Sequence, residues 1–63
     1  MIVKLKCISN IDYSGDTSDY LTVCKVYDGI NVGYDLYDIV DDHGDTISVY
    51  PDNDAHGEWE VVN

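Results

Sequence analysis

Apolar and polar side chains alternate from the start of the chain. In Ile2–Ile8, Val3, Leu5 and Cys7 fall on one face and Lys4 and Lys6 on the other, the period-two pattern of a half-buried strand. Residues 9–19 (Ser-Asn-Ile-Asp-Tyr-Ser-Gly-Asp-Thr-Ser-Asp) are turn formers and predict a long loop. A second strand is expected over 20–28, carrying Leu21, Val23, Val26 and Tyr27, with a turn or bulge from Gly29 to Gly33. Residues 34–40 predict a third strand. Asp41-Asp42-His43-Gly44 reads as a hairpin turn, with Gly44 placed for a positive φ. Residues 45–50 return as a fourth strand, with Ile47 and Val49 on one face and Thr46, Ser48 and Tyr50 on the other. Pro51 to Gly57 breaks the ladder, because proline cannot donate to it. Residues 58–62 close the chain, with Trp59 and Val61 inward and Glu58 and Glu60 outward.

No segment carries a helical pattern. Tyr13, Tyr20, Tyr27 and Tyr34 recur every seven residues, but Gly15, Gly29, Gly33 and the β-branched residues between them rule out a heptad. Five short strands, one long early loop and one tight late hairpin predict an all-β fold, a small five-stranded SH3-like partly open barrel. At 63 residues the chain makes a single domain over 1–63. A chain this size buries about 60% of its unfolded surface and keeps roughly 3–5 kcal/mol of net stability. That leaves little room for a closed, water-excluding active site, the first argument against an enzyme. Six of the seven aromatics are Tyr and none is Phe; tyrosine adds packing area while its hydroxyl stays wet, which suits a thin barrel.

Charge changes the picture most. Residues 1–25 balance Lys4, Lys6 and Lys25 against Asp12, Asp16 and Asp19. Residues 26–63 hold Asp28, Asp35, Asp38, Asp41, Asp42, Asp45, Asp52, Asp54, Glu58 and Glu60 and no Lys or Arg, so the net charge of −10 belongs to this part. Nucleic acid and anionic membrane would both be repelled, which argues against either as a direct partner. No basic stretch followed by a long apolar run opens the sequence, so a cytoplasmic protein with two buried, reduced thiols at Cys7 and Cys24 is expected. A single Cys7–Cys24 bridge between neighbouring strands is the alternative.

Three runs carry a resemblance: Lys6-Cys7-Ile8-Ser9-Asn10, Leu21-Thr22-Val23-Cys24-Lys25-Val26-Tyr27 and Ile39-Val40-Asp41-Asp42-His43-Gly44-Asp45. Together they resemble a group of short phage-encoded proteins with SH3-like barrels, across most of residues 4–50. The resemblance implies the barrel fold and a viral setting; most members of the group have no assigned activity. In that pattern a glycine stands where this chain has Cys24, which puts a bulge there in question.

Candidate chemistry is thin. Asp52-Asn53-Asp54-Ala55-His56-Gly57 begins like a calcium loop but has His56 and Asn63 where the fifth and twelfth ligands belong. His43 and His56 lie on separate loops without metal-ligand spacing and read as exposed loop histidines. No nucleophile motif or phosphate loop is present, and a pocket able to shift a carboxylate pKa is hard to build at this size. Tyr34-Asp35-Leu36-Tyr37-Asp38 resembles the Ala-Leu-Tyr-Asp-Tyr signature of peptide-binding SH3 domains, but too few residues follow it for that register, so it reads as an acidic strand with surface tyrosines. No metal or cofactor is expected.

The acidic surface remains. DNA carries a charge per about 1.7 Å of axis, so ten charges correspond to about five base pairs, or roughly 17 Å of duplex. A chain of this length has a radius of gyration near 11 Å, so the charges resemble nucleic acid only if folding gathers them on one side. The expected function is therefore non-enzymatic: a phage protein in the host cytoplasm that inhibits a host nucleic-acid-handling or defence protein, a partner with a basic surface. Its binding residues would be Asp28, Asp35, Tyr37, Asp38, Asp41, Asp42, Asp45, Asp52, Asp54, Glu58 and Glu60, with Tyr34, Tyr50 and Trp59 as further anchors where exposed. The alternative is an SH3-like adaptor or structural module that binds through a Tyr-lined surface, its charge serving only solubility. The sequence leaves the oligomeric state open.

Overall fold

A computed structural model of the chain describes residues 2–52 and 55–62. Its five strands are β1 (Ile2–Ser9), β2 (Val26–Asn31), β3 (Tyr37–Val40), β4 (Thr46–Val49) and β5 (Glu58–Val61). They form one antiparallel sheet in the order β4-β3-β2-β1-β5, which curls into the expected partly open, five-stranded barrel with no helix among the described residues. β1 sits second from one edge and pairs on both sides: Leu5 lies opposite Tyr27 of β2 and Val61 of β5.

The alternation read from the sequence sets the two faces. Val3, Leu5, Cys7, Tyr27, Ile39, Val49 and Trp59 point inward and, with Leu21, make the core; Tyr20, Tyr37 and Ile47 pack partly buried against it. Tyr27 and Trp59 meet edge to face, centroids 5.6 Å apart, the arrangement that aromatic quadrupoles favour. Gly29 lies inside β2, because a Cβ there would come within 2.8 Å of Leu5 Cδ1. The expected turn from Gly29 to Gly33 therefore begins three residues later, at Val32, and the missing side chain makes room for Leu5.

The second strand also starts later than expected. Residues 22–25 form a turn, since Lys25 N–H donates to the Thr22 carbonyl and Cys24 has φ of 73°, the signature of a type II turn. Cys24 N–H then donates to the Cys7 carbonyl, while Cys7 N–H donates to the Lys25 carbonyl. Two residues thus face one across the ladder, a bulge of the kind whose first position is normally a left-handed glycine. The bulge is present with cysteine in the glycine position. It also corrects the expectation of two buried thiols: Cys7 is buried and Cys24 is exposed.

Two loops share one design. In Asp41-Asp42-His43-Gly44-Asp45, the Asp41 carboxylate accepts from His43 N–H and Asp45 N–H, and Gly44 takes φ of 84°. Asp12-Tyr13-Ser14-Gly15-Asp16 repeats this, with Asp12 accepting from Ser14 N–H and Asp16 N–H and Gly15 also at 84°. In both, the fourth residue's N–H donates to the first carbonyl and the first N–H to the fifth carbonyl. An Asp side chain folding back on its own turn is the physical content of the repeated Asp-x-x-Gly-Asp sequence.

The long loop is tied down at several points. Tyr13 N–H donates to Ala55 O, Ser18 Oγ to His56 O, and Asp42 N–H to Tyr20 O. These bonds seat Leu21 in the core, a burial worth about 1.5–3 kcal/mol. His56 is half-buried, with its Nδ1 2.8 Å from the Tyr20 hydroxyl, so it is not the exposed loop histidine expected. Val61 lies opposite Leu5 on the inward face, as expected, but stays 48% exposed, because among the described residues β5 is an edge strand with a neighbour on one side.

Candidate partner-binding surface

The predicted binding residues divide into three groups. Asp28 and Glu60 lie on the outer face of the sheet beside the β1 lysines: Asp28 pairs with Lys4, and Glu60 sits opposite Lys6. Both carboxylates therefore have a cation beside them. Glu58 is exposed on β5, opposite Ser9.

Asp41 and Asp42 have internal tasks. Asp41 is buried and caps its own turn. Asp42 is the centre of a polar cluster: Lys25 Nζ donates to it at 2.6 Å, the Tyr27 hydroxyl at 2.9 Å and the Thr22 hydroxyl at 2.6 Å. Tyr27 in turn accepts from Thr22 N–H. This cluster fastens the bulge turn to the β3–β4 hairpin. The Lys25 ammonium and then the Thr22 hydroxyl hold the Asp42 carboxyl down at about 2. Lys25 is raised by the same hydrogen bond. Burial pushes the Tyr27 phenol up. Burial, then the Asp42 charge, pushes up the Cys7 thiol.

The third group has no cation partner among the described residues. Asp35, Asp45 and Asp52 are exposed. Asp38, on β3, faces outward and accepts from Ser48 Oγ, its cross-strand neighbour. Asp54 lies outside the described residues. Asp35 and Asp52 flank the end of the β3–β4 ladder remote from the hairpin, while Asp42 and Asp45 flank the turn. With Asp38 and Asp41 these make six acids on one two-stranded ribbon, residues 35–52, that contains no Lys or Arg. Among the described residues only Lys25 reaches in, so six acids less one cation leave five net charges. The ribbon spans seven residues from Asp35 to Asp42, roughly 23 Å at about 3.3 Å per residue, and fits the molecule's long dimension of 30 Å. That is one charge per roughly 4.6 Å, about 1.4 times the ~3.4 Å spacing along one strand of a duplex.

The tyrosines scatter. Tyr37 packs partly buried against the core and Trp59 is buried. Tyr34, at 98% exposed, stands beside Asp35, and Tyr50 is also exposed. Tyr13, 85% exposed, sits apart in the first Asp-x-x-Gly-Asp turn.

Among the described residues no group of three or more His, Cys, Asp or Glu could hold a metal ion, and no helix is long and apolar enough to cross a membrane. Compared with known proteins, the chain matches no family model, no curated protein and no solved structure.

Proposed function

We propose that this is a non-enzymatic acidic binding protein whose β3–β4 ribbon occupies the basic groove of a nucleic-acid-handling protein. The observation that carries the reading is the segregation of charge: six carboxylates on one ribbon with no cation of its own, while Lys4 and Lys6 sit on β1. Such a field steers a basic partner and repels nucleic acid itself. Tyr34, beside Asp35 at the end of the ribbon, supplies an apolar anchor of the kind that dominates interface energies. The resemblance to phage-encoded barrels supports a host defence or nucleic-acid enzyme as target, met in the host cytoplasm.

The charge spacing refines the reading. It approaches that of a single nucleic-acid strand and falls well short of a duplex, so single-strand channels are the better match. The test is capture from a bacterial lysate on immobilised protein, followed by elution with a single-stranded oligonucleotide. The expected result is release of nucleic-acid-handling proteins by the oligonucleotide. Captured proteins that stay bound under a large oligonucleotide excess would refute the reading and favour the adaptor alternative, with Tyr34 and Tyr13 as its contact points.

A further inference from the structure

Cys24 is the one described non-glycine residue with a positive φ. Side chains avoid that conformation because Cβ crowds the following carbonyl, and a residue held there against its preference marks a place to look for function. Its ladder partner is the other cysteine of the chain. Both thiols are free, Cys24 exposed and Cys7 fully buried, where its Sγ–H donates to Ser9 O.

The bulge sets how far apart the two residues can be. Cys24 N lies 2.7 Å from Cys7 O. Adding the N–Cα bond of about 1.5 Å and the Cα-to-oxygen span of about 2.4 Å across a carbonyl bounds the Cα–Cα separation at about 6.6 Å. Disulfides bridge Cα atoms roughly 4.4–6.8 Å apart. The Cα atoms of the two cysteines are therefore within the span a disulfide bridges, and the ladder holds them there.

We propose that Cys7 and Cys24 form a reversible thiol–disulfide pair that exchanges with a low-molecular-weight disulfide such as oxidised glutathione. Exposed Cys24 is the entry point. Its thiolate attacks one glutathione sulfur; the glutathione S–S bond breaks, a mixed disulfide forms on Cys24, and the departing thiolate takes a proton from water. Cys7 then gives up its proton, its sulfur attacks Cys24 Sγ, and the second glutathione leaves as thiolate. Two protein thiols are oxidised and one glutathione disulfide is reduced to two thiols. Cys7 exchanges its contact with Ser9 O for the new bond. The closed loop runs from 7 to 24 and encloses the first Asp-x-x-Gly-Asp turn and the start of the Asp42 cluster, so oxidation fastens the long loop to β1.

The proposal rests on the bulge and is independent of what the acidic ribbon binds. The experiment incubates the reduced, folded protein with oxidised glutathione, blocks free thiols with N-ethylmaleimide and weighs the intact chain. The expected product has lost two hydrogens, takes up no maleimide, melts at a higher temperature than the reduced protein, and reverts with dithiothreitol. Cys7→Ser should stop at a stable glutathione adduct on Cys24, and Cys24→Ser should form none. If the wild-type chain accumulates the Cys24 adduct instead of closing, or keeps both thiols reactive at equilibrium, the proposal is overturned; this readout does not depend on either variant folding.

Discussion

Replacing Cys24 with glycine should stabilise this protein, although it deletes a side chain. The left-handed conformation, φ 73°, costs a non-glycine residue roughly 1–2 kcal/mol. Glycine removes that cost but gives the unfolded chain more freedom, worth about 0.4–1 kcal/mol. Cys24 is exposed, so little packing is lost. The net gain is about 0.5–1 kcal/mol, or a rise of about 2–8 °C in Tm for a domain this small. Cys24→Ala is the control: it removes the same thiol but keeps Cβ and its strain, and should lie within about 0.5 kcal/mol of the parent. Thermal unfolding under reducing conditions, followed by circular dichroism, separates the two. If Cys24→Gly melts no higher than Cys24→Ala, the backbone at 24 is not strained and the bulge argument fails.

Gly57→Ala should be severely destabilising, because its Cβ would lie 2.2 Å from the Ser9 carbonyl oxygen; overpacking costs typically 1–3 kcal/mol, and Tm should fall steeply. Leu5→Ala empties the centre of the core at about 2–5 kcal/mol, comparable to the roughly 3–5 kcal/mol available, and urea titration should show a chain partly unfolded without denaturant. Asp42 is lowered from 3.8 to about 2, so its contribution is complete above the unfolded value and is lost as pH falls through about 2. Asp42→Asn should be less stable than the parent at neutral pH, and the gap should close on acidification; acid titrations that stay parallel would contradict the cluster's role.

The strands were legible where one pattern dominated. β1 alternates cleanly, and β4 is preceded by a turn whose Gly44 states its own conformation, so both fell within a residue of expectation. β2 was misplaced because two local signals misled: Leu21 and Val23 suit a strand, and Gly29 suits a turn. The structure reverses both, since the Thr22–Lys25 turn needs a positive φ at a residue that does not advertise one, and Gly29 is chosen for Leu5. The acids were all visible, but their division was not. Asp41 could have been identified as a turn cap from the Asp-x-x-Gly-Asp repeat shared with residues 12–16. Nothing local signalled Asp42, whose partners Thr22, Lys25 and Tyr27 come from an element 15–20 residues earlier.

That division decides which carboxylates probe the central claim, because neutralising Asp41 or Asp42 would disturb the fold as well as the charge. Asp35, Asp38, Asp45 and Asp52 can be changed to Asn together without touching the Asp42 cluster. The direct measurement is the affinity of a captured nucleic-acid-handling protein for the parent and for this quadruple variant, titrated from low to high salt. A charged ribbon in a basic groove predicts that the parent loses affinity on the order of tenfold or more as salt screens it, and that the variant binds weakly with a shallow salt dependence. Equal affinities with equal, flat salt profiles would contradict it.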